Sequence, residues 1–147
     1  MSAVQMQERC PGASVIGHSV LADWRFIITT RRTASIVKEE ASCVHGVLWR
    51  CTPEHQYILD CFEGVRIGNY RRRIVNVADR DGTLRNAIVY VGSNRNRGIG
   101  RLDYLKTAVL PGARHHDLPG EYITELETWL PQRHIGQPAA RYRGRKK

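Results

Sequence analysis

The residues best suited to chemistry lie in the run from Leu59 to Tyr70, which reads LDCFEGVRIGNY. Glu63 follows Phe62 and lies close to Val65, where the end of an apolar helix meets a glycine-containing turn into a strand. Apolar surroundings raise the pKa of a carboxyl group, which suits a general acid or base near neutral pH. The alternative is that Glu63 is only the last-turn residue of a helix, with its charge in water.

Other residue groups give weaker patterns for a site. His115-His116-Asp117 could suggest metal ligands, but adjacent histidines diverge on any regular backbone, which favours a solvated loop. Gly92, Gly98 and Gly100 do not form a dinucleotide-binding fingerprint. Side chains alternate along a strand, so the Arg71–Arg73 run cannot present one continuous phosphate-binding surface.

Composition limits the class of protein. The chain has 147 residues, of which 41% are hydrophobic and 25% are charged, as in a globular domain with a real core. No apolar run is long enough to cross a bilayer, and residues 1–8 do not resemble a secretory signal. The sequence therefore predicts one domain over residues 1–131, without a membrane segment and located in the cytoplasm.

Cysteine spacing and charge add two expectations. The four cysteines, Cys10, Cys43, Cys51 and Cys61, include no close pair of metal-ligand spacing, and we expect small, buried apolar residues in a reducing compartment. The net charge is +9, and much of it lies in a basic tail over residues 132–147 that we expect to be disordered. This tail leaves RNA or anionic lipid binding open, although a solubilising role is favoured over nucleic-acid binding.

Strands and helices are predicted to alternate along the chain. In the first half, Ser2–Arg9 is typical of a short helix, Trp24–Thr30 and Val44–Trp49 of strands, and Thr33–Val37 of a weaker strand. Thr52-Pro53-Glu54 is a typical helix start, with a capping hydroxyl, a proline and an acidic residue. We expect that helix to present Ile58, Leu59 and Phe62 on one apolar face and to end at Gly64.

The second half begins with a predicted hairpin. Alternating residues from Tyr70 to Ala78 and from Leu84 to Val91 flank a turn at Asp81-Gly82. Two helices should follow, over Arg101–Leu110 and Glu121–Trp129.

Four stretches of this sequence are similar to the gamma-glutamylcyclotransferase-like family, which includes the plant avirulence-induced proteins. They occur in the family's order and cover about residues 9–130. These stretches are RCPGA with LADW, then VHGVLW, then the Leu59–Tyr70 run, and finally DYL, GA and LPGEY.

The resemblance implies an α+β fold, with a small, mostly antiparallel, barrel-like sheet and flanking helices. It implies release of an amine or amino acid from a gamma-glutamyl compound with closure to 5-oxoproline, and no metal or organic cofactor. Glu63 matches the family's acid/base glutamate and Tyr104 a tyrosine that contacts the glutamyl group. Tyr70 matches a tyrosine beside the glutamate, where substrate contact and packing are both open roles.

One departure from the family concerns the N-terminus. The family has a strand ending in Tyr-Gly-Ser-Asn, and Met1 aligns just after that position, so we expect this strand to be missing and the sheet to have an open edge. Val91-Gly92-Ser93-Asn94 is similar to that family motif, but it follows the segment with Glu63 instead of opening the domain, which indicates that the likeness is a coincidence. Two hypotheses follow: an active cyclotransferase, or a catalytically inactive member of the fold that acts as a binding or interaction module.

Overall fold

A computed structural model of the protein describes residues 2–131, so the predicted basic tail lies outside the described residues. The described part contains one antiparallel sheet of four strands in the order β2-β1-β3-β4, with helices around it. The strands are β1 (Ser14–Ile28), β2 (Ala34–Arg50), β3 (Tyr70–Asp79) and β4 (Leu84–Gly92). None of the helices in this part is long and apolar enough to cross a membrane.

The first two strands form one long hairpin, which differs from the short strands predicted from the sequence. Its pairing runs from Ser14↔Arg50 to Ile28↔Ala34, with register shifts between Val15 and Gly17 and between Ala22 and Trp24. The predicted segments Thr33–Val37 and Val44–Trp49 therefore belong to a single strand. The separate strands were predicted because the polar residues between them give no apolar alternation, and cross-strand hydrogen bonds supply the missing stabilisation.

The second hairpin confirms the prediction closely. Residues pair from Tyr70↔Gly92 to Ala78↔Leu84 around the Asp81-Gly82 turn. The hairpin pairs with β1 through the C-terminal end of β3, at Ser19↔Asp79 and Val20↔Ala78.

The chain after β4 returns to the end of β1. Arg97 forms an isolated bridge with Thr29, and the Gly98 N–H donates to the Ile28 carbonyl at 2.8 Å. A Cβ atom at Gly98 would lie 2.3 Å from the Thr29 carbonyl oxygen, so this close approach of two backbones requires glycine.

Within residues 2–131, five α-helices flank the sheet. They are α1 (Ala3–Arg9), α2 (Pro53–Phe62), α3 (Leu102–Tyr104), α4 (Leu110–His115) and α5 (Gly120–Glu127), and a π-helical turn over Leu105–Val109 joins α3 to α4. The first two begin as predicted, since Ser2 accepts from the Gln5 N–H and Thr52 from the His55 N–H. The third predicted helix is longer than expected, because the π-helical turn carries it past Leu110.

Two clusters of buried side chains form the core. The larger one packs the end of β1 against the C-terminal helices: Phe26, Ile27, Ile28, Leu105, Val109, Leu110, Ala113, Leu118, Tyr122, Leu126 and Trp129. The smaller one lies within the sheet and contains Leu21, Trp24, Ile36, Val77 and Val91.

The cysteine prediction was largely wrong. Cys10 is fully buried, but Cys43, Cys51 and Cys61 are exposed, and all four are free thiols. The average preference of cysteine for the interior says nothing about which side of a strand or helix a particular cysteine occupies.

Candidate active site

Glu63 lies at the C-terminal cap of α2, where the chain leaves the helix for β3. Gly64 follows in the left-handed region, with φ of 61°. The left-handed conformation favours glycine here, and a Cβ atom at this position would approach the side-chain nitrogen of Asn69 to 2.8 Å, so that side chain would have to shift. The Gly64 carbonyl accepts from the backbone N–H groups of Ile67 and Asn69. This turn fixes Glu63 relative to Tyr70, the first residue of β3.

The Glu63 carboxylate is largely withdrawn from water. Its side chain is 26% exposed, and it forms an ion pair with Arg9, whose Nη1 lies 3.8 Å from Oε1. Burial raises the pKa of Glu63 above its ordinary value, and the positive charge of Arg9 opposes part of that rise. A carboxyl group in this state can exchange a proton nearer to neutral pH than an exposed one.

Contacts between α1 and α2 place Arg9 beside Glu63. The His55 Nε2 lies 3.0 Å from the Pro11 carbonyl oxygen, and the Cys10 thiol lies 3.8 Å from the His55 carbonyl oxygen. The Arg9 guanidinium also lies over the ring of Phe62, 4.7 Å from its centroid. Phe62 was predicted to lie on the apolar face of α2, but the residue is 60% exposed and its ring packs against Arg9.

Both tyrosines predicted from the sequence lie in the electrostatic neighbourhood of Glu63. Burial raises the pKa of Tyr104 to about 12, with further contributions from Tyr70 and Glu63. Burial also raises the pKa of Tyr70, and the negative charge of Glu63 adds to the shift. The negative charge of Glu63 thus acts on both tyrosine hydroxyls.

The Tyr70 hydroxyl already has a structural partner. It donates a hydrogen bond of 2.6 Å to the Ala34 carbonyl at the start of β2. This bond ties the two hairpins together, and it favours the packing role that the sequence left open for Tyr70.

A second carboxylate one turn earlier on α2 has a different environment. The Tyr90 hydroxyl donates to Asp60 Oδ1 at 2.8 Å, and Arg72 Nε lies 3.5 Å from the same oxygen. Burial raises the pKa of the Tyr90 hydroxyl, and its bond to Asp60 raises it further. Asp60 is thus held by two partners, whereas among residues 2–131 the ion pair of Glu63 is the longer contact with Arg9. The sequence singled out Glu63 but gave no sign of the partners of Asp60, because Arg72 and Tyr90 lie on strands that are distant from α2 in the sequence.

Two small cavities adjoin this region. One, of about 110 Å³, is lined by Thr29, Arg31, Thr33, Asn69, Tyr70, Gly92 and Asn94. The Val91–Asn94 segment, whose likeness to the family's Tyr-Gly-Ser-Asn turn was interpreted as coincidence, thus contributes Gly92 and Asn94 to this cavity beside Tyr70. Glu63 does not line this cavity.

The other cavity, of about 210 Å³, has a basic lining that includes Arg71, Arg73 and Arg95. Arg72 is directed elsewhere, towards Asp60, as the alternation of strand side chains predicts.

Residues 2–131 contain no group of three histidine, cysteine or acidic side chains placed to hold a metal ion. His115 and His116 lie at the end of α4 rather than in the predicted loop, with their rings nearly perpendicular.

Comparison with known proteins places this geometry in context. The AIG2-like family matches residues 43–126, which include Glu63, Tyr70 and Tyr104. No functionally curated protein matched the chain.

Several solved structures share the fold. A gamma-glutamyl cyclotransferase superposes with a TM-score of 0.82 at 23% identity, covering 92% of this chain and 86% of that one. An uncharacterised protein from Homo sapiens gives 0.82 at 24% identity, with the same coverage. YkqA from Bacillus subtilis gives 0.73 at 19% identity, covering 85% of this chain and 46% of that one. These similarities confirm the predicted α+β fold class.

Proposed function

The chain belongs to the AIG2-like family, and from this membership and the site around Glu63 we propose that it is a gamma-glutamylcyclotransferase. The proposed reaction releases an amine or amino acid from a small gamma-glutamyl compound and forms 5-oxoproline. The observation that carries the proposal is a withdrawn carboxylate of raised pKa, within the electrostatic reach of two tyrosines and beside one arginine.

The chemistry requires one group that accepts and then returns a proton. Glu63 takes a proton from the α-ammonium group of the substrate, and the neutral amine attacks the γ-carbonyl carbon. A C–N bond forms within a five-membered ring, the bond to the leaving nitrogen breaks, and Glu63 returns the proton to that nitrogen. The ring nitrogen, which carries a second proton after the attack, gives it up to water and becomes the neutral lactam N–H. Because the reaction is intramolecular, holding the glutamyl chain in a folded conformation supplies much of the acceleration.

Arg9 supplies a positive charge where the substrate has a negative one. The α-carboxylate is bonded to the same carbon as the α-ammonium, so an ammonium group at Glu63 brings the carboxylate within reach of the adjacent guanidinium. Tyr104 would pack against the glutamyl chain, and Tyr70 would fix the strand that follows Glu63.

Replacing Arg9 with methionine should move the pH profile in a direction set by charge. Arg9 lowers the pKa of Glu63, so its removal raises that pKa, and the acidic limb of kcat/KM should move to higher pH. KM should rise as well, because the α-carboxylate loses its partner. Arg66→Met, on the exposed turn after α2, is the matched control and should leave both quantities unchanged. An acidic limb that stays in place in the Arg9 variant would show that Glu63 is not the titrating base.

The proposal is tested by blocking the attacking amine. The full-length protein, expressed from its complete reading frame, should release a chromogenic amine from a gamma-glutamyl anilide. It should release none from the N-acetylated anilide, whose amide nitrogen is a poor nucleophile. Equal release from the two compounds would indicate attack by water and would reject cyclisation.

A further inference from the structure

Three reactive side chains away from Glu63 form a hydrogen-bonded row on the β1–β2 hairpin. The Cys43 Sγ lies 3.5 Å from His45 Nε2, and His45 Nδ1 lies 2.8 Å from Nε2 of His18. The imidazole of His45 thus lies between the thiol of Cys43 on one side and the imidazole of His18 on the other.

Strand geometry explains why these three side chains meet. Cys43 and His45 are two residues apart on β2 and therefore share one face. In the register of the hairpin, Val20 lies opposite His45 and His18 opposite Val47, so His18 is the diagonal neighbour of His45 on the same face.

Tertiary packing holds the central imidazole in place. The ring of Tyr122, from α5, packs against His45 with centroids 4.8 Å apart. The ring of His18 lies nearly parallel to that of His45, at an interplanar angle of 16°. His45 is half-buried, whereas Cys43 is exposed, so the base is positioned by the protein and the thiol is open to solvent.

Electrostatics favour uncharged imidazoles at neutral pH. Burial lowers the pKa of His45, and the neighbouring His18 lowers it further. Burial also lowers the pKa of His18, with a contribution from Arg80 near the β3–β4 turn. A neutral His45 can accept a proton from the thiol through Nε2 when its Nδ1–H donates to His18. The two nitrogens of His45 face different partners, Nε2 towards Cys43 and Nδ1 towards His18.

We propose that Cys43, with His45 as its base and His18 as a positioning residue, is a nucleophilic thiol that undergoes exchange with small disulfides. The arrangement has the features of an activated nucleophile, namely a thiol within reach of a base that a third group orients. The thiol proton passes to His45, and the Cys43 sulfur attacks one sulfur of the disulfide. A new S–S bond forms to Cys43, the original S–S bond breaks, and the leaving thiolate takes the proton from His45.

The chain contains its own reference thiols. Cys61 is also exposed, but no imidazole bonds to its sulfur among the described residues, and Cys10 is buried. Exposure alone therefore predicts similar rates at Cys43 and Cys61, whereas base assistance predicts a difference.

The test is to treat the reduced full-length protein with hydroxyethyl disulfide at neutral pH and follow each cysteine by peptide mass spectrometry. We expect Cys43 to react at least about tenfold faster than Cys61. In the His45→Gln variant, the rate at Cys43 should fall to that of Cys61, and the rate at Cys61 should stay unchanged. The buried Cys10 should remain unreacted, and this lack of reaction shows that the variant is folded. Equal rates at Cys43 and Cys61 in the wild type would overturn the proposal without any variant. An unchanged Cys43 rate in a folded His45→Gln protein would overturn it as well. Because this exchange does not involve Glu63, either result leaves the proposed cyclotransferase activity to its own tests.

Discussion

Glu63→Gln is expected to lower kcat for 5-oxoproline release by about 10²-fold or more, the usual contribution of a general base. Glutamine keeps the size and polarity of the side chain at the helix cap but cannot accept the α-ammonium proton. The structural contacts of Glu63 are modest, namely the cap position of α2 and an ion pair of 3.8 Å with Arg9, so the urea midpoint should change little. The measurement is steady-state formation of 5-oxoproline, with circular dichroism as the check on folding.

Asp60→Asn is the matched control for that variant. Asp60 lies one turn earlier on α2, and asparagine can still accept the hydrogen bond from Tyr90. We expect less than a tenfold change in kcat for this neighbour. A Glu63→Gln enzyme that keeps more than about a tenth of wild-type activity would remove Glu63 from the role of base, since a general base contributes more than that.

Leu126→Ala is expected to lower the free energy of unfolding by about 2–5 kcal/mol, the range for removing a fully buried leucine side chain. Leu126 is 0% exposed and lies in the larger core cluster, against which Tyr104 also packs. The truncation leaves a cavity in the cluster that packs the C-terminal helices against the end of β1. Urea denaturation of the two proteins gives the difference.

Leu84→Ala supplies the comparison for an exposed leucine. Leu84 is 69% exposed at the start of β4, and its truncation should change stability by no more than about 0.5 kcal/mol. Equal losses in the two variants would mean that the larger cluster is not the core that stabilises the domain.

Local chemistry made part of the fold predictable from the sequence. Thr52 and Pro53 specify the start of α2, and the Asp81-Gly82 turn sets the register of the second hairpin. These signals act over a few residues, so they are largely independent of the rest of the chain. Glu63 could be singled out for a related reason, since a carboxylate at a helix end before a glycine turn is visible in the sequence.

The remaining features depend on contacts between distant segments. The full length of β1 and β2 comes from their mutual pairing across two register shifts, which apolar alternation does not reveal. Arg9 was not predicted as part of the site, because tertiary contacts such as those of His55 with Pro11 and Cys10 bring α1 to Glu63. The link from Cys43 through His45 to His18 depends in the same way on the register of a hairpin that the sequence predicted only in fragments.

The most direct measurement of the central claim is the identity of the product that the full-length wild-type protein makes from gamma-glutamyl amino acids. Nuclear magnetic resonance distinguishes 5-oxoproline from free glutamate in one reaction mixture. If Glu63 activates the substrate's own amine, 5-oxoproline should appear in equal amount to the released amino acid, and glutamate should not accumulate. Glutamate as the main product would contradict the account by showing attack by water. An absence of turnover across a panel of gamma-glutamyl compounds would also contradict it and would favour the non-catalytic binding module.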